Sequence, residues 1–157
     1  MNLLLAILAA WTVVKVSDGD TIWVEPISDL RIADCTIANK ERVKVRLNKI
    51  DAPESDQPWG KEATAALKAL VDGREVELKG EEVDRFGRRL AVVMVDGEDL
   101  NLRLVKEGHA WHWRFDKDAA YRAAEEEARA ARRGLWRDEA PVEPFLWRKQ
   151  GKGRGKK

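Results

Sequence analysis

Residues 42–54 read Arg42-Val43-Lys44-Val45-Arg46-Leu47-Asn48-Lys49-Ile50-Asp51-Ala52-Pro53-Glu54. The first part alternates strictly. Val43, Val45 and Leu47 point one way and Lys44, Arg46 and Asn48 the other, which is the two-residue period of a half-buried strand. Pro53, followed by Pro58, then denies regular structure. Asp51 and Glu54 are therefore expected in a stiff, non-helical segment directly after a strand that ends near Arg46.

The rest of the chain arranges itself around this strand. Upstream, residues 11–17 and 21–25 read as two strands flanking Asp18-Gly19, a tight-turn pair. Residues 26–41, with Pro26, Asp34 and Asn39, read as an extended irregular loop. Downstream, residues 60–72 predict a helix with an apolar stripe of Ala63, Ala66, Leu67 and Leu70, stopped by Gly73. Residues 74–79 predict a strand with Val76 and Leu78 inward. Residues 89–95 are apolar on both faces, which predicts a strand covered on both sides. After the Asp96-Gly97 turn, a short helix is expected over 99–107, with Asp99 as its N-cap and Gly108 beyond its end. The Ala-rich stretch 118–133 predicts a helix ended by Gly134, with glutamates early and arginines late. No internal repeat is present. Five strands with a helix after the third and two helices at the end predict a β-rich α+β domain. The expected architecture is a five-stranded Greek-key barrel of the OB type with three α-helices. Such barrels often bind nucleic acid on one face.

At 157 residues the chain suits one domain with one core, and 44% apolar with 36% charged residues is a globular composition. The seven tryptophans read mainly as packing, with a base-stacking surface as the alternative. The net charge of +1 conceals an asymmetry. Residues 148–157 carry six basic and no acidic side chains, leaving 23 basic against 28 acidic in the body. This basic segment is expected to be a flexible tail, either solubilising or attracting a polyanion by counterion release. Cys35 is the only cysteine, so no internal disulfide can form. Met1–Ala10 is too short to span a bilayer. It has the look of a secretion-signal remnant ending in small residues, although it lacks a basic start; a packed N-terminal segment is the competing reading. The first reading would place the protein outside the cytoplasm, secreted or in the periplasm or cell envelope, with the domain proper spanning 11–147.

Three clusters carry chemistry. Asp20 opens the second strand on the side of Ile22 and Val24, and a carboxylate at the mouth of an apolar barrel is costly unless paired or bound to a cation. A turn aspartate bonded to its own backbone is the alternative. Asp51 and Glu54, beside Pro53, could be a surface loop. Together with Asp20 and a backbone carbonyl, Asp51 offers oxygen ligands for a hard cation such as Ca²⁺, and Mg²⁺ is compatible with the same donors. Asp84-Arg85-Phe86-Gly87-Arg88 reads as an exposed basic turn, either a charged hairpin or a phosphate fork. Phosphodiester hydrolysis needs these parts together: a cation on a non-bridging oxygen, a carboxylate for water, and cationic donors for developing charge. Asp20 and Asp51 can supply the first, Glu54 the second, and Arg46 with Arg88 the third. His109 and His112 lack further zinc-type ligands.

These residues resemble the staphylococcal nuclease (thermonuclease) family. The resemblance rests on Asp18-Gly19-Asp20-Thr21, Val45-Arg46-Leu47 leading to Ile50-Asp51-Ala52-Pro53-Glu54, Asp84-Arg85-Phe86-Gly87-Arg88, Val105-Lys106-Glu107-Gly108 and Ala130-Ala131-Arg132-Arg133-Gly134-Leu135-Trp136, in that order over about residues 11–148. The resemblance implies the family's OB barrel with three helices. It implies Ca²⁺ held by Asp20, Asp51 and the carbonyl of Ala52, with Glu54 orienting or deprotonating water. Arg46 and Arg88 would hold the scissile phosphate, and Arg85, Phe86 and Trp113 would flank the substrate. The implied reaction cuts DNA and RNA at the 5′ P–O bond and leaves 3′-phosphate ends, in a monomer without a stable protein partner. Phe86 replaces a tyrosine found in some relatives, which removes a hydroxyl contact. A noncatalytic nucleic-acid-binding OB module is the rival from another class, and a protein-interaction domain that kept only the barrel is a third.

Overall fold

The computed structural model describes residues 10–27 and 41–151. Most of the Met1–Ala10 segment, most of the 26–41 loop and the last part of the basic tail lie outside the described residues. The chain forms β1 (Ala10–Asp18), β2 (Thr21–Pro26), β3 (Val43–Leu47), β4 (Ile50–Asp51), α1 (Gly60–Val71), β5 (Glu75–Lys79), β6 (Arg89–Val95) and β7 (Glu98–Asp99). These are followed by α2 (Leu100–Lys106), β8 (Trp111–His112), α3 (Ala119–Ala130), a 3₁₀ turn at Gly134–Arg137, and α4 (Pro144–Lys149).

Five strands close on themselves. β1 pairs antiparallel with β2 and β5, β2 with β3, and β5 with β6, while a parallel pairing of β3 with β6 seals the ring. This is the expected OB-type order. β1 serves two partners because its register against β2 slips between Val13 and Lys15 and again between Val16 and Asp18. Such irregularities bend a strand and let it turn the corner of a barrel. The inward residues fill the barrel: Val13, Ile22, Val24, Val45, Leu47, Val76, Leu78, Ala91 and Val93 are all buried. α1 covers the barrel with Ala63, Leu67 and Val71, and α2 and α3 add Leu104, Val105 and Tyr121 to the same core.

Several expectations need correction. There are four α-helices among the described residues, because Pro144 at the first turn starts a short helix that the apolar periodicity of six residues does not reveal. Arg148 and Lys149 therefore belong to α4 and not to the tail. β6 buries Ala91, Val93 and Val95, while Leu90, Val92 and Met94 are half-buried, so it is covered on one face and only partly on the other. The first hairpin turns at Gly19-Asp20, since Asp18 still pairs with Thr21. α3 ends at Ala130 and has no acidic residue in its first turn; the Asp118 side chain caps it by accepting from Ala120 N. Gly108 and Gly134 sit back to back, and a Cβ on Gly134 would lie 2.1 Å from the Gly108 carbonyl oxygen. Only glycine permits that approach, which docks the chain after α3 against the end of α2.

Candidate active site

The acidic and basic residues singled out in the sequence meet at one end of the barrel, in a cleft of about 670 Å³. Asp20 comes from the β1–β2 turn, Arg46 from β3, and Asp51, Ala52 and Glu54 from β4 and the loop after it. Arg85, Phe86 and Arg88 come from the β5–β6 connection, and Trp113 from the segment after β8. Strand parity explains the convergence: β2 and β3 pair Thr21 with Arg46, and Leu47 N donates to Asp20 O at 2.8 Å, so the Asp20 and Arg46 side chains leave the sheet side by side.

Arg46 organises the centre. One guanidinium nitrogen, Nη2, lies 3.0 Å from Asp20 Oδ2 and 3.0 Å from Asp51 Oδ1, so the two carboxylates are close enough to share a single small cation. Its Nη1 donates to the carbonyls of Leu47 at 2.7 Å and Ile50 at 3.0 Å, which fixes the β3–β4 turn. Ala52 N donates to Asp20 Oδ2 at 2.8 Å. Gly60 holds the following loop close, since a Cβ there would lie 1.8 Å from the Glu54 carbonyl oxygen.

Asp51 is 1% exposed and lies beneath the cleft rather than on its wall. Arg148 covers it, with Nη1 3.0 Å from Oδ1 and Nη2 2.9 Å from Oδ2, and the same Nη1 reaches Glu54 Oε1 at 2.7 Å. Among the described residues, Glu54 Oε2 has no hydrogen-bond partner. Arg88 is held differently: its Nε donates to Asp84 Oδ2 at 2.7 Å, which leaves both terminal nitrogens facing the cleft without partners among the described residues. Asp84 also accepts from the backbone of Phe86 and Arg88. These hydrogen bonds outweigh its desolvation and keep its carboxyl below the usual carboxylate range. Phe86 is 67% exposed, with Arg85 and Arg88 over its ring. Trp113 forms an edge-to-face trio with Phe115 and Phe145. The loose aromatic match after Gly108 thus resolves: Trp113 borders the cleft, while Trp111 packs on Trp136 away from it.

The electrostatics are unbalanced. Burial, reinforced by the neighbouring Asp20, pushes Asp18 up to about 7. Burial also pushes Asp51 up to about 6, against the opposing pull of Arg148 and Arg46. Asp18, Asp20, Asp51 and Glu54 are four carboxylates against the two guanidiniums of Arg46 and Arg148, a deficit equal to one divalent cation. Among the described residues no three His, Cys, Asp or Glu side chains are gathered as a full ligand set. The protein's share of any cation site is therefore two carboxylates with backbone oxygen and water, a donor set that suits a hard ion.

Sequence reasoning missed three contributors. Asp18 was absorbed by the turn, Arg148 was assigned to the tail, and Phe145 had no motif. The available signal was Pro144 opening a helix whose Phe145 and Arg148 stand three apart, on one face. The histidines take structural roles: His109 stacks on Trp59, and His112 Nε2 lies 2.7 Å from Asp116 Oδ2.

Comparison with known proteins gives a consistent picture. The family described as "Staphylococcal nuclease homologue" matches residues 44–138. An "Uncharacterized endonuclease" of Haemophilus influenzae is 40% identical over 141 residues, covering 89% of this chain and 73% of that protein. A "Micrococcal nuclease" of Shigella flexneri is 38% identical over 152 residues, covering 89% of this chain and 80% of its own length. An "Uncharacterized endonuclease" of Escherichia coli is 38% identical over 138 residues, covering 87% and 82%.

Proposed function

The chain belongs to the staphylococcal nuclease homologue family and is a nuclease acting on nucleic acid, and from that premise we propose that it is a Ca²⁺-dependent phosphodiesterase. It hydrolyses DNA and RNA at the 5′ P–O bond and leaves 3′-phosphate ends. The observation that carries the proposal is the sharing of one Arg46 nitrogen by Asp20 and Asp51, with Glu54 and Arg88 facing the same cleft.

The donor chemistry fits the cation. Asp20 and Asp51, with the carbonyl of Ala52, would hold it, and their uncompensated charge favours a divalent ion. When bound, Ca²⁺ polarises a phosphoryl oxygen and stabilises its developing charge. Mg²⁺ is a candidate for the same oxygens, although a flexible, water-rich site tolerates the irregular geometry of Ca²⁺ better.

The protein's own groups supply the rest. Arg88 presents two terminal nitrogens, oriented by Asp84 at its Nε, as a fork for non-bridging phosphate oxygens. Arg46 offers Nη2 to the same phosphate. Glu54 has Oε2 free to accept a hydrogen bond and then a proton from the attacking water. Attack at phosphorus breaks the bond to the 5′ oxygen, which takes a proton from solvent. Arg85 and Phe86 line the cleft wall, where the phenyl face can stack a base, and Trp113 borders the other side. Plasmid digestion with Ca²⁺ and with excess chelator, followed by end-group analysis, tests this. Cleavage only with the ion and only to 3′-phosphate termini is expected, and equal cleavage in both samples would defeat the cation assignment. The same reading extends to export of the protein, which mass spectrometry of the exported chain would check by the presence or loss of Met1–Ala10.

A further inference from the structure

One wall of the cleft is built by residues beyond the matched stretch 44–138. The segment leading into α4, and α4 itself, are tied to the Asp51–Gln57 loop at three points. Gln57 Nε2 donates to Val142 O at 2.6 Å, Trp147 Nε1 donates to Asp56 Oδ1 at 3.2 Å, and Arg148 bridges Asp51 and Glu54. Gln57 closes the loop from inside by accepting from Glu54 N at 3.1 Å.

We propose that Arg148 is a positioning residue for hydrolysis, fixing the Glu54 carboxylate beside Asp51, so that α4 is part of the active site. The proposal rests on the nuclease reading above. Glu54 sits on a loop with a flexible side chain, and an untethered carboxylate would spread over several rotamers. The Arg148 guanidinium is a rigid planar fork, and one of its nitrogens touches both carboxylates at once. It takes Glu54 Oε1 and leaves Oε2 for water. A direct grip on substrate phosphate is disfavoured, because both terminal nitrogens are already engaged by Asp51 and Glu54. A lysine could reach only as a single point charge and would restore the bridge in part.

The test compares R148Q and R148K with the wild-type full chain at saturating Ca²⁺, using a defined oligonucleotide. R148Q is expected to lower kcat about 10- to 100-fold, the usual cost of losing an outer partner. Its KM should stay within about threefold of wild type, and R148K should recover part of the loss. In an E54Q background R148Q should add little, because the two residues act through one carboxylate. A second readout needs neither metal nor substrate: amide hydrogen exchange across residues 52–57 should quicken in R148Q while α1 and the barrel stay protected. A KM rise with kcat unchanged, faster turnover, or an equal loss in the E54Q background would overturn the proposal. A wild-type chain that cleaves nothing would overturn the nuclease reading. An active wild type whose kcat and loop exchange are untouched by R148Q would overturn the role of Arg148 alone.

Discussion

Glu54 and Asp18 illustrate how one cleft gives neighbouring carboxylates different work. Glu54 is only partly buried and has one oxygen tied to Arg148. In the proposed mechanism it is the group that receives the proton of water. Glu54→Gln keeps the shape and the acceptor but cannot take the proton. We expect kcat to fall by about 10²- to 10⁴-fold with KM little changed and thermal stability intact; steady-state kinetics and a melting curve check this. Asp18 and Asp51 carry the electrostatic strain. Both have folded-state values raised above the ordinary 3.8 by burial, to about 7 and about 6. The folded protein therefore binds these protons more tightly than the unfolded chain. This contribution to stability is fully present below about pH 4 and is lost as pH rises through 6 and 7. In chelator, Asp18→Asn should raise the Tm at pH 8 and change it much less at pH 5. An equal change at both pH values would show that the Asp18 carboxyl is not the source.

At the scale of elements, the cleft depends on a buried amide. Asn101 on α2 is fully buried. Its Nδ2 donates to the carbonyls of Asn48 at 2.9 Å and Ala91 at 3.0 Å, and its Oδ1 accepts from Val93 N at 3.1 Å. One side chain thus joins the helix, β6 and the β3–β4 turn. That turn needs support, because Lys49 holds a positive φ of 66° and presents the ends of β3 and β4 to the cleft. Asn101→Leu would orphan three backbone groups, and a loss of about 2–4 kcal/mol in a denaturant titration is expected. A loss below about 1 kcal/mol would mean that water or a shifted backbone replaces the amide. The same element logic separates legible helices from the missed one. α1 and α3 run for 12 residues each and show their period in the sequence. α4 has six residues and gains its place from Val142, Trp147 and Arg148 reaching the loop after β4.

For the whole molecule, charge is distributed by region. The cleft centre is acidic, its rim carries Arg85 and Arg88, and the C-terminal residues Lys152, Arg154, Lys156 and Lys157 add four positive charges near the end of α4 in sequence. Arg148 is part of the folded site, so a deletion that probes the tail must begin at residue 152. Removing residues 152–157 should weaken binding of an uncleavable oligonucleotide at low salt and flatten the slope of log Kd against log salt, with little effect at high salt. Fluorescence anisotropy at two ionic strengths measures this, and an unchanged slope would assign the segment a solubilising role.

The barrel was legible in the sequence because strand alternation, glycine turns and helix caps are local signals, set by steric limits and by which side chains avoid water. The order of Asp20, Arg46, Asp51, Glu54 and Arg88 was legible for a related reason: parity along β2 and β3 dictates which side chains leave the sheet together. Other features were decided only by tertiary structure. Asp18 joined the acidic cluster because the hairpin turns one residue later than its sequence suggests. Arg148 joined Asp51 and Glu54 across more than ninety residues because α4 docks on their loop. A long-range ion pair leaves no periodic trace in a chain; it exists only once packing has brought two distant charges out of water and beside each other.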